Sequence, residues 1–144
     1  MQVLHVLLRP AFGVALATAQ ALSLRQSLFS ESPWLIGSGA LLTVASLAQW
    51  AAASVRCSRA RRTERPATGG PYGIIRHPIY ASVLLLGVGL GLIFFSWLHL
   101  LVVVVFTPLW WLECKREEEE TTFRYGQAYT EYKKGTAMLT PGIL

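Results

Sequence analysis

The chain reads as an all-α integral membrane bundle of four transmembrane helices, the third and fourth forming a tight hairpin, with a cytoplasmic C-terminal helical tail. Three observations predict it. Of the 144 residues 53% are hydrophobic, the mean hydropathy is +0.42, and there is no Asp or Asn. The apolar residues gather into four runs, about 3–24, 33–55, 78–95 and 98–112. At 1.5 Å per residue the first two reach about 33 Å, enough to cross a hydrocarbon core of about 30 Å. Basic residues collect between and after the runs, above all in the 56–77 loop. Backbone groups in lipid must be bonded within their own segment, and apolar segments of this length achieve that only as helices. The length fits one domain over 1–144.

The first run contains "ALATAQA", an A-x-A pattern of the kind that precedes signal-peptide cleavage. No basic residue comes before the run, and Arg9-Pro10 interrupts it, so the segment reads as a retained span. Arg9 lies near an end, from which it snorkels to the interface or lines a cavity. His5 and His99 read as interfacial or packed residues. After the second run, Arg56, Arg59, Arg61, Arg62, Arg65 and Arg76 face the single acid Glu64, whereas the 23–32 connection holds only Arg25 and Glu31. The positive-inside rule then makes the 56–77 loop cytoplasmic. Four spans put both termini of this multi-pass chain on that side, with Lys115, Arg116, Lys133 and Lys134; in a bacterium the membrane would be the inner one. The net charge of +5 reads as topology and contact with membrane lipids, and without a recognition motif it excludes nucleic acid. Cys57 and Cys114 fall at cytoplasmic span ends, where a disulfide is disfavoured, and their spacing is not that of a metal site.

Only Ser96-Trp97 separates the third and fourth runs. The fourth, at about 22 Å, is short for a crossing. Pro108 within it removes a backbone donor and invites a kink, and the helix is expected to continue past Leu112 into "ECKREEEETTFRYGQAYTEYKK". "GVGLG" at 87–91 lies inside an apolar helix with no preceding strand, so Gly87 and Gly91 read as close helix packing. On the continuing helix Glu113, Glu117 and Glu120 share a face, with Glu118 turned about 100° away. Lys115 with Glu119 and Arg116 with Glu120 make part of the run a self-paired, solvated face. Phe123, Tyr125, Tyr129 and Tyr132 keep helical spacing and are expected to dock the tail.

The stretch "GPYGIIRHPIYAS", residues 70–82, carries the chemistry. Gly70-Pro71 is a turn, and Pro78 suits the first position of the third helix, where its missing N–H costs nothing. Free amides at a helix start favour an anion, and the Arg76 guanidinium fork suits a carboxylate. His77 and Tyr80 add donors. Opposite an acidic helix, these residues define a pocket for a zwitterion, with Glu117 or Glu118 for its ammonium or hydroxyls. They equally define an interfacial anchor in which Arg76 and His77 hold headgroups and Tyr72 and Tyr80 join an aromatic belt.

Gly70, Pro71, Tyr72, Arg76, His77, Pro78 and Tyr80, then Glu117 and Glu118, then Tyr125, Gly126, Tyr129 and Tyr132 resemble the motifs of the membrane methyltransferases typified by isoprenylcysteine carboxyl methyltransferase and the phospholipid methyltransferases. The resemblance covers residues 69–134. It departs at Gly73, at Thr121 and at "TAMLTPG". It implies an enzyme that binds S-adenosylmethionine at the cytoplasmic face and methylates a lipophilic acceptor: an isoprenylcysteine-type carboxylate, a phospholipid amine or a related small molecule. The cofactor-binding residues it implies are Tyr72, Arg76, His77, Pro78, Tyr80, Glu117 and Glu118. Arg76 and Glu117 are the catalytic candidates, Arg76 to orient a carboxylate and Glu117, or His77, as the base an amine or thiol acceptor needs. Two alternatives stand beside it. Membrane sterol reductases, which bind NADPH, carry a similar Arg-His-Pro-Asn-Tyr element, against which Ile79 and the Glu pair argue. A non-catalytic small membrane subunit is favoured only by the short length.

Overall fold

The computed structural model describes residues 3–23, 32–63 and 65–140. Residues 24–31, with Arg25 and Glu31, Glu64 and the His5 side chain lie outside the described residues. The chain is all-α: α1 (Val3–Ser23), α2 (Pro33–Arg62), a 3₁₀ turn (Gly70–Gly73), α3 (Pro78–Ile93), α4 (Trp97–Tyr125) and α5 (Gln127–Lys134). Among the described residues there is no strand, only a parallel bridge between Ile75 and Ala137. By length and composition α2 and α4 are long and apolar enough to cross a membrane, and Leu7–Leu22 and Pro78–Ile93 are shorter apolar helices. The apolar side chains of α2 face outward, Trp34, Leu41, Val44 and Val55 among them, as on a surface bathed in lipid rather than water.

The sequence boundaries shift at α2 and in the tail, each for a local reason, while α4 continues past Leu112 as expected. α2 runs past Val55 to Arg62, because Ser, Arg and Ala are adequate helix formers and three arginines in its last turn complement the dipole. α4 carries Pro108 in its interior and continues through the glutamates to Tyr125, so the short apolar run is part of a 29-residue helix. The tail is not one helix with α4: Gly126, at φ 58 and ψ −131, interrupts it before α5.

The chain divides into two compact units, Met1–Ala45 with Leu84–Leu109, and Ser46–Val83 with Trp110–Leu144. In the first, small residues let helices approach. A Cβ on Gly89 would stand 2.5 Å from Thr43 Oγ1, one on Gly39 2.8 Å from the Gly89 carbonyl, and one on Gly87 2.6 Å from Val103. Packing is thus the role of "GVGLG", and Gly39 is its unforeseen partner. Phe12 meets Phe106 edge-on at 5.2 Å. α3 ends in a Schellman turn, with Ser96 N–H on the Gly91 carbonyl and Phe95 N–H on that of Leu92. Phe95 takes the positive φ of 51° usually left to glycine, and its ring is buried. His99 is buried near Phe94, the packed reading made for it.

The second unit contains every residue of the candidate site. Here α2 contributes Gln49, whose amide reaches the Pro78 carbonyl at 3.4 Å, and Arg56, whose guanidinium lies against Gly69 and Gly70. A Cβ at Gly69 would come within 2.9 Å of Arg56 Nη1, and Gly70 has φ +65°. Glycine is therefore needed at Gly70 for conformation, while at Gly69 it lets the end of the Arg56 side chain lie against the backbone.

Candidate active site

His77 precedes α3, and its carbonyl accepts from Ala81 N–H at 3.1 Å. Pro78 occupies the first helical position, as its chemistry predicts. The three residues before it are held from the other end of the chain. Arg76 N–H donates to the Ala137 carbonyl at 2.8 Å and His77 N–H to that of Met138 at 3.1 Å, beside the Ile75–Ala137 bridge. The backbone on which Arg76 and His77 stand is thus paired with the segment after α5.

The two glutamates take different positions. Glu118 is buried and saturated: Oε1 accepts from Arg76 Nε at 2.6 Å and lies 3.5 Å from His77 Nε2, and Oε2 accepts from Lys133 Nζ at 2.8 Å. Glu117, with 36% of its side chain exposed, lies 3.4 Å from His77 Nδ1 and accepts from the Tyr80 hydroxyl. Tyr80 stacks on His77 at 5.7 Å and packs against Trp110 at 4.8 Å. Arg76 donates from Nη1 to the carbonyls of Lys133, at 3.0 Å, and Thr136. Its Nη2 alone makes no hydrogen bond among the described residues.

The electrostatics follow from this packing, and each group concerned lies beyond the apolar 78–95 and 98–112 segments. Burial by itself pushes the His77 imidazole down. Hydrogen bonding to Cys114, Glu117 and Glu118 overrules it and raises the pKa from 6.5 to about 11, so the ring is an imidazolium at neutral pH. Burial likewise pushes the Glu118 carboxyl up, and His77, Lys133 and Arg76 bring it down to about 2. Burial holds the Cys114 thiol up despite His77 beside it, and it is a neutral neighbour. Burial also raises the phenols of Tyr72 and Tyr129, and that of Tyr132 to about 12. They serve as neutral donors; the Tyr132 hydroxyl donates to the Tyr72 carbonyl at 2.5 Å.

Arg76, His77, Pro78, Tyr80, Glu117 and Glu118 are therefore brought together, and Tyr72 joins them through its carbonyl, which accepts from Tyr132, and through its phenol, which bonds with Cys57 and feels the charge of Glu117. Of the acidic run, Glu119 and Glu120 are exposed. Lys115 lies over the Trp111 ring at 3.8 Å rather than on Glu119, and Arg116 reaches Glu113 at 3.8 Å. Tyr129 is buried and pairs with Tyr132, whereas Phe123 is 94% exposed and does not pack onto the helices. Three participants were missed in the sequence. Cys114 and Trp110 could have been found, since they sit one and two turns before Glu117 and Glu118 on the same helical face. Lys133 gave no local signal, because only the reversal at Gly126 brings it to Glu118.

An all-α chain with two membrane-length helices and a buried, charged cluster built from two distant motifs is a membrane-associated protein with an enzyme-like site. The phospholipid methyltransferase family model matches residues 29–128. The chain belongs to this methyltransferase family. No curated protein and no solved structure matches it.

Proposed function

We propose that the protein transfers a methyl group from S-adenosylmethionine to a lipophilic acceptor at the cytoplasmic membrane face, with α1, α2, α3 and α4 as four crossings and both termini cytoplasmic. The observation that carries this reading is the convergence of Arg76-His77-Pro78-x-Tyr80 and Glu117-Glu118 on one cluster, in a chain of a methyltransferase family.

The donor set fits the cofactor. His77 Nε2 is buried and makes no hydrogen bond of good geometry, Arg76 keeps Nη2, and Glu117 keeps an exposed edge. Arg76, His77 and Lys133 set three positive charges against the two of Glu117 and Glu118, which favours one further carboxylate. Glu117 suits an ammonium, a hydroxyl or the field of a sulfonium. When bound, S-adenosylmethionine supplies an already activated methyl, so the protein's work is orientation and exclusion of water. His77, held as an imidazolium, has no lone pair with which to take a proton, which leaves Glu117 as the base for an amine or thiol acceptor. A carboxylate acceptor needs none. With an amine acceptor, Glu117 would receive the proton that the methylated nitrogen gives up.

The test is transfer of labelled methyl from S-adenosylmethionine into a lipid extract by the purified protein, alongside binding of S-adenosylmethionine and NADPH. Binding of NADPH alone would replace this reading with the reductase one.

A further inference from the structure

Six contacts tie residues 127–138 to the 72–77 segment and to Glu118: Tyr132 hydroxyl to the Tyr72 carbonyl, Lys133 Nζ to Glu118 Oε2, Arg76 Nη1 to the carbonyls of Lys133 and Thr136, Arg76 N–H to Ala137 and His77 N–H to Met138. All of them lie beyond Gly126, where a Cβ would meet nothing within 4 Å and φ is +58°. Glycine is there for the reversal and not for space, and besides these contacts the segment is held by the buried Tyr129 and by Ala137 and Leu139 packing on Ile75 and Ala81. Among them only Lys133 reaches across with a charge of its own side chain. Glu118 is the junction, since Arg76 takes one of its oxygens and Lys133 the other.

We propose that Lys133 is a positioning residue that, by holding Glu118, fastens residues 127–138 as a strap and so sets Arg76, His77 and Glu117 for ligand binding. An exposed lysine pair contributes little in general. Here, however, the carboxylate is 5% exposed, and without Lys133 its second oxygen is left buried and unpaired, a far costlier state. Glu118 then turns toward Arg76 and His77, the imidazolium is drawn from Glu117, and the carbonyls that grip Arg76 lose their anchor.

The consequence for cofactor binding rests on the S-adenosylmethionine reading above, whereas the fastening does not, so two measurements are made on the full chain in detergent. The first is amide exchange at residues 75–77 and 127–138. Lys133→Met should speed it at least about fivefold, and Lys133→Arg should leave it within about twofold of wild type. The second is equilibrium binding of S-adenosylmethionine. Lys133→Met should weaken Kd about tenfold at unchanged stoichiometry, with Lys133→Arg within about threefold of wild type. Lys133→Gln substitutes for the methionine variant if that fails to fold. Exchange unchanged in Lys133→Met, or equally fast in Lys133→Arg, overturns the strap. Lost stoichiometry at unchanged Kd makes Lys133 a folding residue, and a Kd unchanged in Lys133→Met removes its link to the site. If wild type binds no S-adenosylmethionine, the cofactor reading falls and the strap is judged on exchange alone.

Discussion

At the residue scale, two adjacent glutamates of one sequence motif do different work. Glu118 is buried between Arg76, Lys133 and His77, while Glu117 is 36% exposed. Glu118→Gln should therefore cost stability, by about 3 kcal/mol for breaking a buried pair. Glu117→Gln should cost less stability than Glu118→Gln and weaken S-adenosylmethionine binding. Glu119→Gln and Glu120→Gln, both exposed, should lie within about 0.5 kcal/mol of wild type. Melting and binding of the four variants check this, and four equal responses would return the run to a solvated face. A pH dependence belongs to the same residues. Free histidine titrates at 6.5 and His77 at about 11, so its contribution to stability is complete below pH 6.5 and drains away as pH rises toward 11. Glu118, lowered from 4.5 to about 2, contributes fully above pH 4.5 and less as pH falls toward 2. Melting temperature should thus decline from pH 6.5 to 9, and His77→Gln should flatten that decline; an unaltered slope in the variant assigns it to another group.

At the scale of elements, the helices were legible where apolar composition and proline determine them. The fourfold segmentation, the Pro78 start, the hairpin and the glycine packing of α3 all follow from local chemistry. The site was legible as a set of residues but not as a geometry. Arg76 read as a fork for a ligand carboxylate, yet Nε and Nη1 are spent on Glu118 and on two carbonyls. Those partners are 42 to 60 residues away, and no periodicity reports them. The break between α4 and α5 was written in Gly126, but aromatics on both sides kept helical spacing and masked it. Two predictions follow from these elements. Gly126→Ala, forced into φ +58° and ψ −131°, should cost roughly 1–3 kcal/mol and loosen the tail, as tryptic cleavage after Lys133 or Lys134 would reveal. Arg76→Lys should preserve insertion but lower methyl transfer at least about tenfold, because an ammonium cannot serve Glu118 and the carbonyls of Lys133 and Thr136 from one planar group. Transfer equal to wild type at matched folded concentration would reduce Arg76 to a surface anchor.

At the scale of the molecule, the proposed function needs one orientation, because a donor made in the cytoplasm must reach Arg76, His77 and Glu117. Composition alone qualifies α2 and α4 as crossings, with Leu7–Leu22 and Pro78–Ile93 shorter. α3 and α4 are joined by a turn of three residues, Phe94 to Ser96, so if α4 crosses, α3 has no length of connection with which to do anything but return through the same layer. Charge then chooses the side. Arg56, Arg59, Arg61, Arg62 and Arg65 stand against the single acid Glu64 in the sequence, and such an excess of guanidinium groups resists translocation. In a chain with Cys57 and Cys114 changed to Ser, a cysteine at Thr68 should be labelled by an impermeant maleimide only after the cytoplasmic side is opened. One at Leu28 should be labelled in intact cells. Labelling of Thr68→Cys from outside would turn the site away from its donor, and the proposed methyl transfer could not proceed there whatever the geometry of the cluster.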